Sequence, residues 1–231
     1  MSAVALAQPD QLPRRLWRNV LRVKLALVDS RKYRRTVLEE VDGLQLVVLP
    51  DVFNPKLLRS GAFLASQIRR SDLVSAADRV LDLGSGSGAC GLAAARRGCQ
   101  VVAVDINPSA VRCTRINALL NKLELDVRQG DLFAPVEHER FDVVMFNPPY
   151  YRGVPRDALD HAWRSCDVPE RFAAGLAAHL TRDGSALVVL SSDGDPDLFL
   201  ACLWRNGLRH QVAARRDFIN EVMTVYRVRA C

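Results

Sequence analysis

From residue 42 onward, short apolar runs alternate with stretches in which apolar residues recur every three or four positions. The first pattern fits buried strands and the second amphipathic helices. Apolar runs predict strands over residues 44–49, 80–83, 101–105, 125–129, 141–146 and 186–190. Helical spacing predicts helices over 57–69, 88–97, 109–120, 169–180 and 197–206. Asn107 as cap and Pro108 in the first turn mark the start of the third helix. Asp183-Gly184 is expected to end the fourth and Gly207 the fifth. Residues 211–215 and 222–228 read as a closing pair of strands. Apolar strands separated by amphipathic helices imply a doubly wound α/β fold, its mostly parallel sheet covered on both faces.

The chain has 231 residues. At about 150 residues per domain, that suggests one α/β domain with a small extension. The division drawn here is a basic helical extension over 1–41 and the α/β domain over 42–231. Hydrophobic residues are 49% and charged residues 25%, which excludes a disordered or collagen-like chain. No apolar run approaches the roughly 18 residues of a membrane span. Residues 1–13 lack the pattern of a signal peptide. Six cysteines, at 90, 99, 113, 166, 202 and 231, are widely and irregularly spaced. That argues against a zinc site or disulfide framework and for a reduced, cytoplasmic protein. The four histidines are scattered, so no metal site is expected.

The net charge is +6 and unevenly placed. Arg14, Arg15, Arg18, Arg22, Lys24, Arg31, Lys32, Arg34 and Arg35 face only Asp29. Leu16, Val20, Val23 and Leu27 recur at helical steps, so residues 12–35 form a candidate amphipathic helix with a basic face. Such a face suits an acidic or nucleic-acid docking partner, or simply solvent.

Four loops carry the candidate chemistry. The first, Asp82-Leu-Gly84-Ser85-Gly86-Ser-Gly88, follows a strand and opens a helix. From Gly86 it also reads as a literal G-x-G-x-x-G, ending at Gly91, which alone suggests NAD or FAD. An acid at the strand end sits badly beside a pyrophosphate and well beside an ammonium or sulfonium ligand such as S-adenosylmethionine. The second is Asp105, 23 positions beyond Asp82, where an acid accepts hydrogen bonds from ribose hydroxyls of either nucleoside cofactor. The third, Gly130-Asp131-Leu132, offers an acceptor for an adenine amine and an apolar side chain for its ring. The fourth, Asn147-Pro148-Pro149-Tyr150, closes an apolar strand. Its prolines hold the backbone extended and keep it out of the sheet. That leaves the Asn147 amide oxygen and the Pro148 carbonyl as acceptors, and Tyr150 as a stacking face. Two acceptors and a flat face suit a planar –NH2 acting as nucleophile. Asp157 and Asp160, three apart, read as a solvated turn or as a pair that meets substrate, and Trp163 as closing the pocket or packing.

These motifs, in this order, resemble class I S-adenosylmethionine-dependent methyltransferases of the N-methylating type. Within them the chain is most similar to short HemK-type enzymes, which methylate a glutamine side chain in translation release factors. The resemblance spans residues 44–228 and implies a seven-stranded sheet, parallel except for a reversed last strand. It implies that Asp82 and the 84–88 loop hold the methionine part of the cofactor. Asp105, with Ile106 beside it, would hold the ribose, and Asp131 with Leu132 the adenine. Asn147, also in contact with the cofactor, would grip the target nitrogen together with Pro148. Pro149 and Tyr150 complete the catalytic motif, with Tyr150 packing on substrate. Leu49-Pro-Asp-Val-Phe53 resembles a stretch of ribosomal-RNA guanine N2-methyltransferases. Where glutamine enzymes carry an acid-Thr-Phe string, this chain has Arg59-Ser60-Gly61-Ala62-Phe63.

The leading expectation is therefore methylation of a protein glutamine, in a release factor or ribosome-associated protein. The alternatives are methylation of an adenine or guanine amine in RNA or DNA, an NAD-dependent oxidoreductase, and an idle fold that binds RNA through its basic segment.

Overall fold

The computed structural model describes residues 35–157, 160–218 and 221–231. Nearly all of the basic helix expected over 12–35 lies outside the described residues. The described chain opens with a hairpin, β1 (Val37–Val41) and β2 (Leu44–Val48). Asp42 and Gly43 both take positive φ, 53° and 80°. This is the left-handed pair that a two-residue hairpin loop requires, and Asp-Gly is a preferred sequence for it. The hairpin straddles the division drawn at residue 42, so Val37–Val41 packs with the domain.

Two short helices follow, α1 (Pro55–Leu58) and α2 (Ser60–Arg70). The single helix expected over 57–69 is interrupted because Arg59 sits at φ 60°, a conformation no helix continues through. The alternating core comes next: β3 (Arg79–Leu83), α3 (Ala89–Ala95), β4 (Gln100–Asp105), α4 (Pro108–Asn121), β5 (Asp126–Gln129) and β6 (Phe141–Phe146). Two small strands, β7 (Tyr151–Arg152) and β8 (Arg164–Ser165), pair beyond it. The chain closes with α5 (Val168–Leu176), β9 (Leu180–Ser191), α6 (Pro196–Arg205), β10 (Leu208–Asp217) and β11 (Val222–Ala230). The helix expected over 169–180 is shorter than its pattern. A 3-10 turn over Ala177–His179 follows it, and β9 then runs through Asp183-Gly184, which were expected to end the helix. At Gly184 a Cβ would lie 2.8 Å from the Phe141 carbonyl oxygen, so glycine there lets β9 close against β6.

Seven strands form one sheet in the order β5-β4-β3-β6-β9-β11-β10. The pairs from β5 through β9 are parallel, and β11 is antiparallel to both neighbours. The doubly wound fold and reversed last strand are thus present. Alternate strand residues feed two core layers. Val80, Val143, Met145 and Val189 face one side; Leu81, Val144, Phe172 and Val188 fill the other. Burial on both faces explains why these strands read as continuous apolar runs.

The small hairpin is held by an unusual edge. Asn117 and Asn121, one turn apart on α4, act as a substitute strand alongside β2. Asn117 Oδ1 accepts from Val47 N–H at 2.7 Å and its Nδ2 donates to Val47 O at 2.8 Å. Asn121 does the same with Gln45, at 3.1 and 2.8 Å. Asn117, fully buried, also donates to Ser87 O at 2.9 Å, reaching the glycine loop. Asn117→Ala would leave several buried groups unpaired, each costing about 1–3 kcal/mol. The expected loss in urea denaturation is about 3 kcal/mol, against about 1 kcal/mol for the more exposed Asn121→Ala. Equal losses would show that the two amides act as surface contacts.

Candidate active site

In register, β3 and β6 end side by side, Leu83 opposite Phe146. The chain leaves β3 toward β4 and β5, then returns to β6 on the other flank, so a crevice opens at the strands' carboxyl ends. The glycine loop leaves β3 there and the Asn-Pro-Pro-Tyr loop leaves β6.

Gly84, Gly86 and Gly88 take φ of 69°, 57° and 81°, which glycine adopts without strain. At Gly88 a Cβ would lie 2.9 Å from Thr114 Cγ2, so glycine also lets the loop pack on α4. Gly84 and Ser85 N–H groups both donate to Val104 O, at 2.8 and 3.0 Å, which ties the loop to β4.

Asp82 is 4% exposed, and its Oδ2 accepts from Gly91 N–H at 2.8 Å. Burial pushes its pKa up to about 7; the Gly91 bond opposes the shift and Asp105 adds to it. No cation among the described residues pairs with it. Asp105 Oδ2 accepts from Gly86 N–H and its Oδ1 from Asn107 N–H, both at 2.8 Å. Burial raises its pKa as well, against those bonds. Asn107 caps α4 by accepting from Ser109 N–H, and its Nδ2 donates to Asp51 O at 2.7 Å. The hairpin exit is therefore fastened to the loop that follows β4.

A cavity of about 330 Å³ fills the crevice. Of the residues singled out by sequence, Asp82, Gly84, Ser85, Gly86, Asp105, Ile106, Asp131, Leu132, Asn147 and Pro149 line it. Gly88, Pro148 and Tyr150 lie outside its lining. Asp131 is not a free acceptor: Arg171 pairs with its Oδ2 at 2.7 Å. Leu132 holds φ 46°, and Ile106, 44% exposed, forms an apolar rim beside Asp105.

The Asn-Pro-Pro-Tyr loop shows two contacts that the sequence did not suggest. Tyr150, outside the cavity lining, turns its hydroxyl to the loop's own asparagine and donates to Asn147 Oδ1 at 2.7 Å. Burial pushes its pKa up, so it stays a neutral donor. The Asn147 oxygen is therefore partly engaged, with one lone pair left. Asn147 Nδ2 in turn donates to Ser60 Oγ at 3.1 Å. Ser60, fully buried at the start of α2, escaped the sequence reading. Its partner is 87 residues away, and no local pattern signals such a contact. Phe53, which the sequence marks only by its resemblance to ribosomal-RNA enzymes, lines the cavity, and its ring meets Trp163 at 5.4 Å. Asp160 is not in a solvated turn; it is buried and pairs with Arg156 and Arg164. His161 lines the cavity. Cys90, Cys99, Cys113 and Cys202 are buried, while Cys166 and Cys231 are exposed.

Comparison with known families matches residues 43–206 to the methyltransferase small domain. The chain belongs to this family. It is accordingly an S-adenosylmethionine-dependent methyltransferase, and the oxidoreductase alternative finds no support. One relative, from Methanocaldococcus jannaschii and provisionally described as a protein N5-glutamine methyltransferase, is 30% identical over 163 residues, 66% of this chain and 79% of its own. The ribosomal RNA small subunit methyltransferase C of Alcanivorax borkumensis is 31% identical over 68% of this chain, which spans 46% of that relative. The match thus spans about half the length of that ribosomal-RNA relative. Among solved structures, a T. thermophilus 16S rRNA N2-guanine methyltransferase with AdoMet and guanosine superposes with TM-score 0.63 at 24% identity, over 85% of this chain and 50% of that one. The E. cuniculi Mtq2–Trm112 complex, described as methylating a translation termination factor, gives 0.61 at 22%, covering 78% of this chain and 99% of that one. Among the described residues no helix is long and apolar enough to cross a membrane.

Proposed function

We propose that this methyltransferase transfers a methyl group to a planar –NH2, and that the acceptor is a glutamine side chain in a protein such as a release factor or ribosome-associated factor. The observation that carries the reading is Asn147. Its amide is gripped at one end by Tyr150 and at the other by Ser60, and it lines the cavity beside Asp82. Asp82 and the 84–88 loop hold the methionine moiety, Asp82 being a buried carboxylate without a cationic partner. Asp105 and Ile106 hold the ribose, and Asp131 and Leu132 the adenine. The cofactor supplies an electrophilic sulfonium methyl, whose C–S bond breaks as the N–C bond forms and sulfur keeps the electron pair. Asn147 Oδ1 accepts one amide hydrogen, and the Pro148 carbonyl, though outside the cavity lining, is the second acceptor that the resemblance implies; together they shift charge onto a poorly nucleophilic nitrogen. Pro149 holds the loop extended for in-line attack. The proton leaves to solvent after transfer, so no strong general base is needed.

A second reading, a nucleobase amine, is favoured by the cavity wall. Phe53, from the stretch resembling ribosomal-RNA enzymes, lines the cavity, backed by a ring contact with Trp163, and an aromatic face suits a flat base. A labelled-methyl assay on cell extract, split into protease-treated and nuclease-treated halves, separates the two. Label lost to protease supports glutamine, and label lost to nuclease supports a base. Preferential binding of NADH over S-adenosylhomocysteine in calorimetry would sink both.

The cofactor assignment carries a pH signature. Asp82 in the unliganded fold keeps its proton to about pH 7, while its ordinary value is 3.8. Between those values the unfolded chain binds fewer protons, so stability falls as pH rises through that window. An ammonium beside Asp82 favours the ionised form and reverses this. Binding of S-adenosylhomocysteine therefore tightens as pH rises toward 7 and levels off above it. The thermal shift on binding is larger at pH 8 than at pH 5.5, and Asp82→Asn flattens the dependence. A wild-type shift that ignores pH would remove Asp82 from the methionine site.

A further inference from the structure

The C-terminal hairpin carries a row of cations that the protein leaves unmatched. In the β10–β11 register Arg209 lies directly opposite Arg229, and Gln211 opposite Arg227. Opposed residues of an antiparallel pair share a face and strand residues two apart do too, so all four project from one side of the sheet. Arg209, Gln211 and Arg229 are exposed and Arg227 is half-buried. Like charges directly opposite destabilise a sheet. Several other arginines do meet acids: Arg69 and Arg70 pair with Asp42, Arg79 and Arg128 with Glu139, and Arg152 with Glu170. Among the described residues no acid pairs with Arg209, Arg227 or Arg229, and Arg227 Nε has no hydrogen-bond partner. β10 is also an edge strand, ten residues long.

We propose that this face of the hairpin docks single-stranded RNA, away from the cofactor cavity and whichever –NH2 is methylated. The cations on this face are all arginine, whose planar fork matches phosphate oxygens two at a time. A protein partner would be expected to find an aromatic or apolar anchor at its centre; this face offers charge and an amide instead. A row along a hairpin edge tracks one backbone, as single-strand binders do. Gln211, set among the arginines, can both donate to and accept from the 2′-hydroxyl that DNA lacks.

The test is fluorescence anisotropy with the full chain and a labelled 20-nucleotide RNA of mixed sequence, run across salt concentrations. Arg209→Gln combined with Arg229→Gln is expected to weaken binding about tenfold and to reduce the salt slope by about 1.4, the value for two lost phosphate contacts on a single strand. Calorimetry with S-adenosylhomocysteine on the same samples should be unchanged. That result reports the fold, and separates failure of the hairpin from failure of the cofactor site. If the double variant does not fold, the single variant Arg229→Gln is used, with half the slope change expected. Wild-type RNA affinity in a folded variant overturns the proposal. So does equal affinity for DNA of the same sequence, or hairpin-dependent binding of poly-glutamate in place of RNA.

Discussion

Asn147→Ala abolishes methyl transfer while leaving cofactor affinity within a few-fold of wild type. In the proposed mechanism Asn147 contributes an amide oxygen where charge develops on the attacking nitrogen, and removing one such preorganised group costs about 10²–10³ in kcat. The loss is larger here, because Tyr150 and Ser60 each lose their partner and the loop loses its anchor to α2. A graded series separates chemistry from positioning. Ser60→Ala removes one contact that holds the Asn147 amide, so kcat falls about tenfold, in line with a hydrogen bond of about 1.4 kcal/mol, and KM for the cofactor stays put. Ser60→Thr, which keeps the hydroxyl, restores most of the rate. Turnover of Asn147→Ala at the wild-type rate would take Asn147 out of the mechanism.

The second large effect falls on cofactor binding. Asp105→Ala is expected to weaken S-adenosylhomocysteine at least a hundredfold in calorimetry. Two ribose hydroxyls donating to a carboxylate contribute about 3–6 kcal/mol, taking hydrogen bonds to a charged acceptor at about 1.5–3 kcal/mol each. The carboxylate also positions the glycine loop through Gly86 N–H and the start of α4 through Asn107 N–H. The variant therefore melts lower even without ligand. Asp105→Asn distinguishes the contributions: it keeps an acceptor for one backbone N–H, recovers most of the melting temperature, and leaves affinity low. Recovery of both together would make Asp105 a structural residue alone.

The parts of the site legible in sequence are those whose chemistry is local. Asp82 and Asp105 lie at the carboxyl ends of β3 and β4, and the glycines at 84, 86 and 88 join β3 to α3, so their positions at one sheet edge follow from the alternation of elements. Gly91 is instructive. In sequence it completes a G-x-G-x-x-G suggestive of a dinucleotide. In the fold it is the residue whose missing Cβ, 2.8 Å from Asp82 Oδ2, lets a backbone N–H reach that carboxylate. The same string thus serves the acid rather than a pyrophosphate. The pattern misled where backbone conformation overrides periodicity. Arg59 at positive φ splits one apparent helix in two, and the helical spacing runs on to Leu180, where the chain has already passed through a 3-10 turn into β9.

By itself the sequence determined the order and type of most strands and helices, the doubly wound class, and the four loops that meet at the crevice. Those follow from side-chain periodicity and turn chemistry, which act over a few residues. Only the tertiary structure decided that Tyr150 turns its hydroxyl to Asn147, that Ser60 holds the other end of that amide, that Asp131 is held by Arg171, and that two asparagines stand in for a strand beside β2. It also decided that the arginines of the last hairpin share one uncovered face. Each of these is a contact between residues distant in the chain or a register between strands. Hydrogen-bond geometry and pairing set such contacts, and hydrophobic spacing carries no record of them.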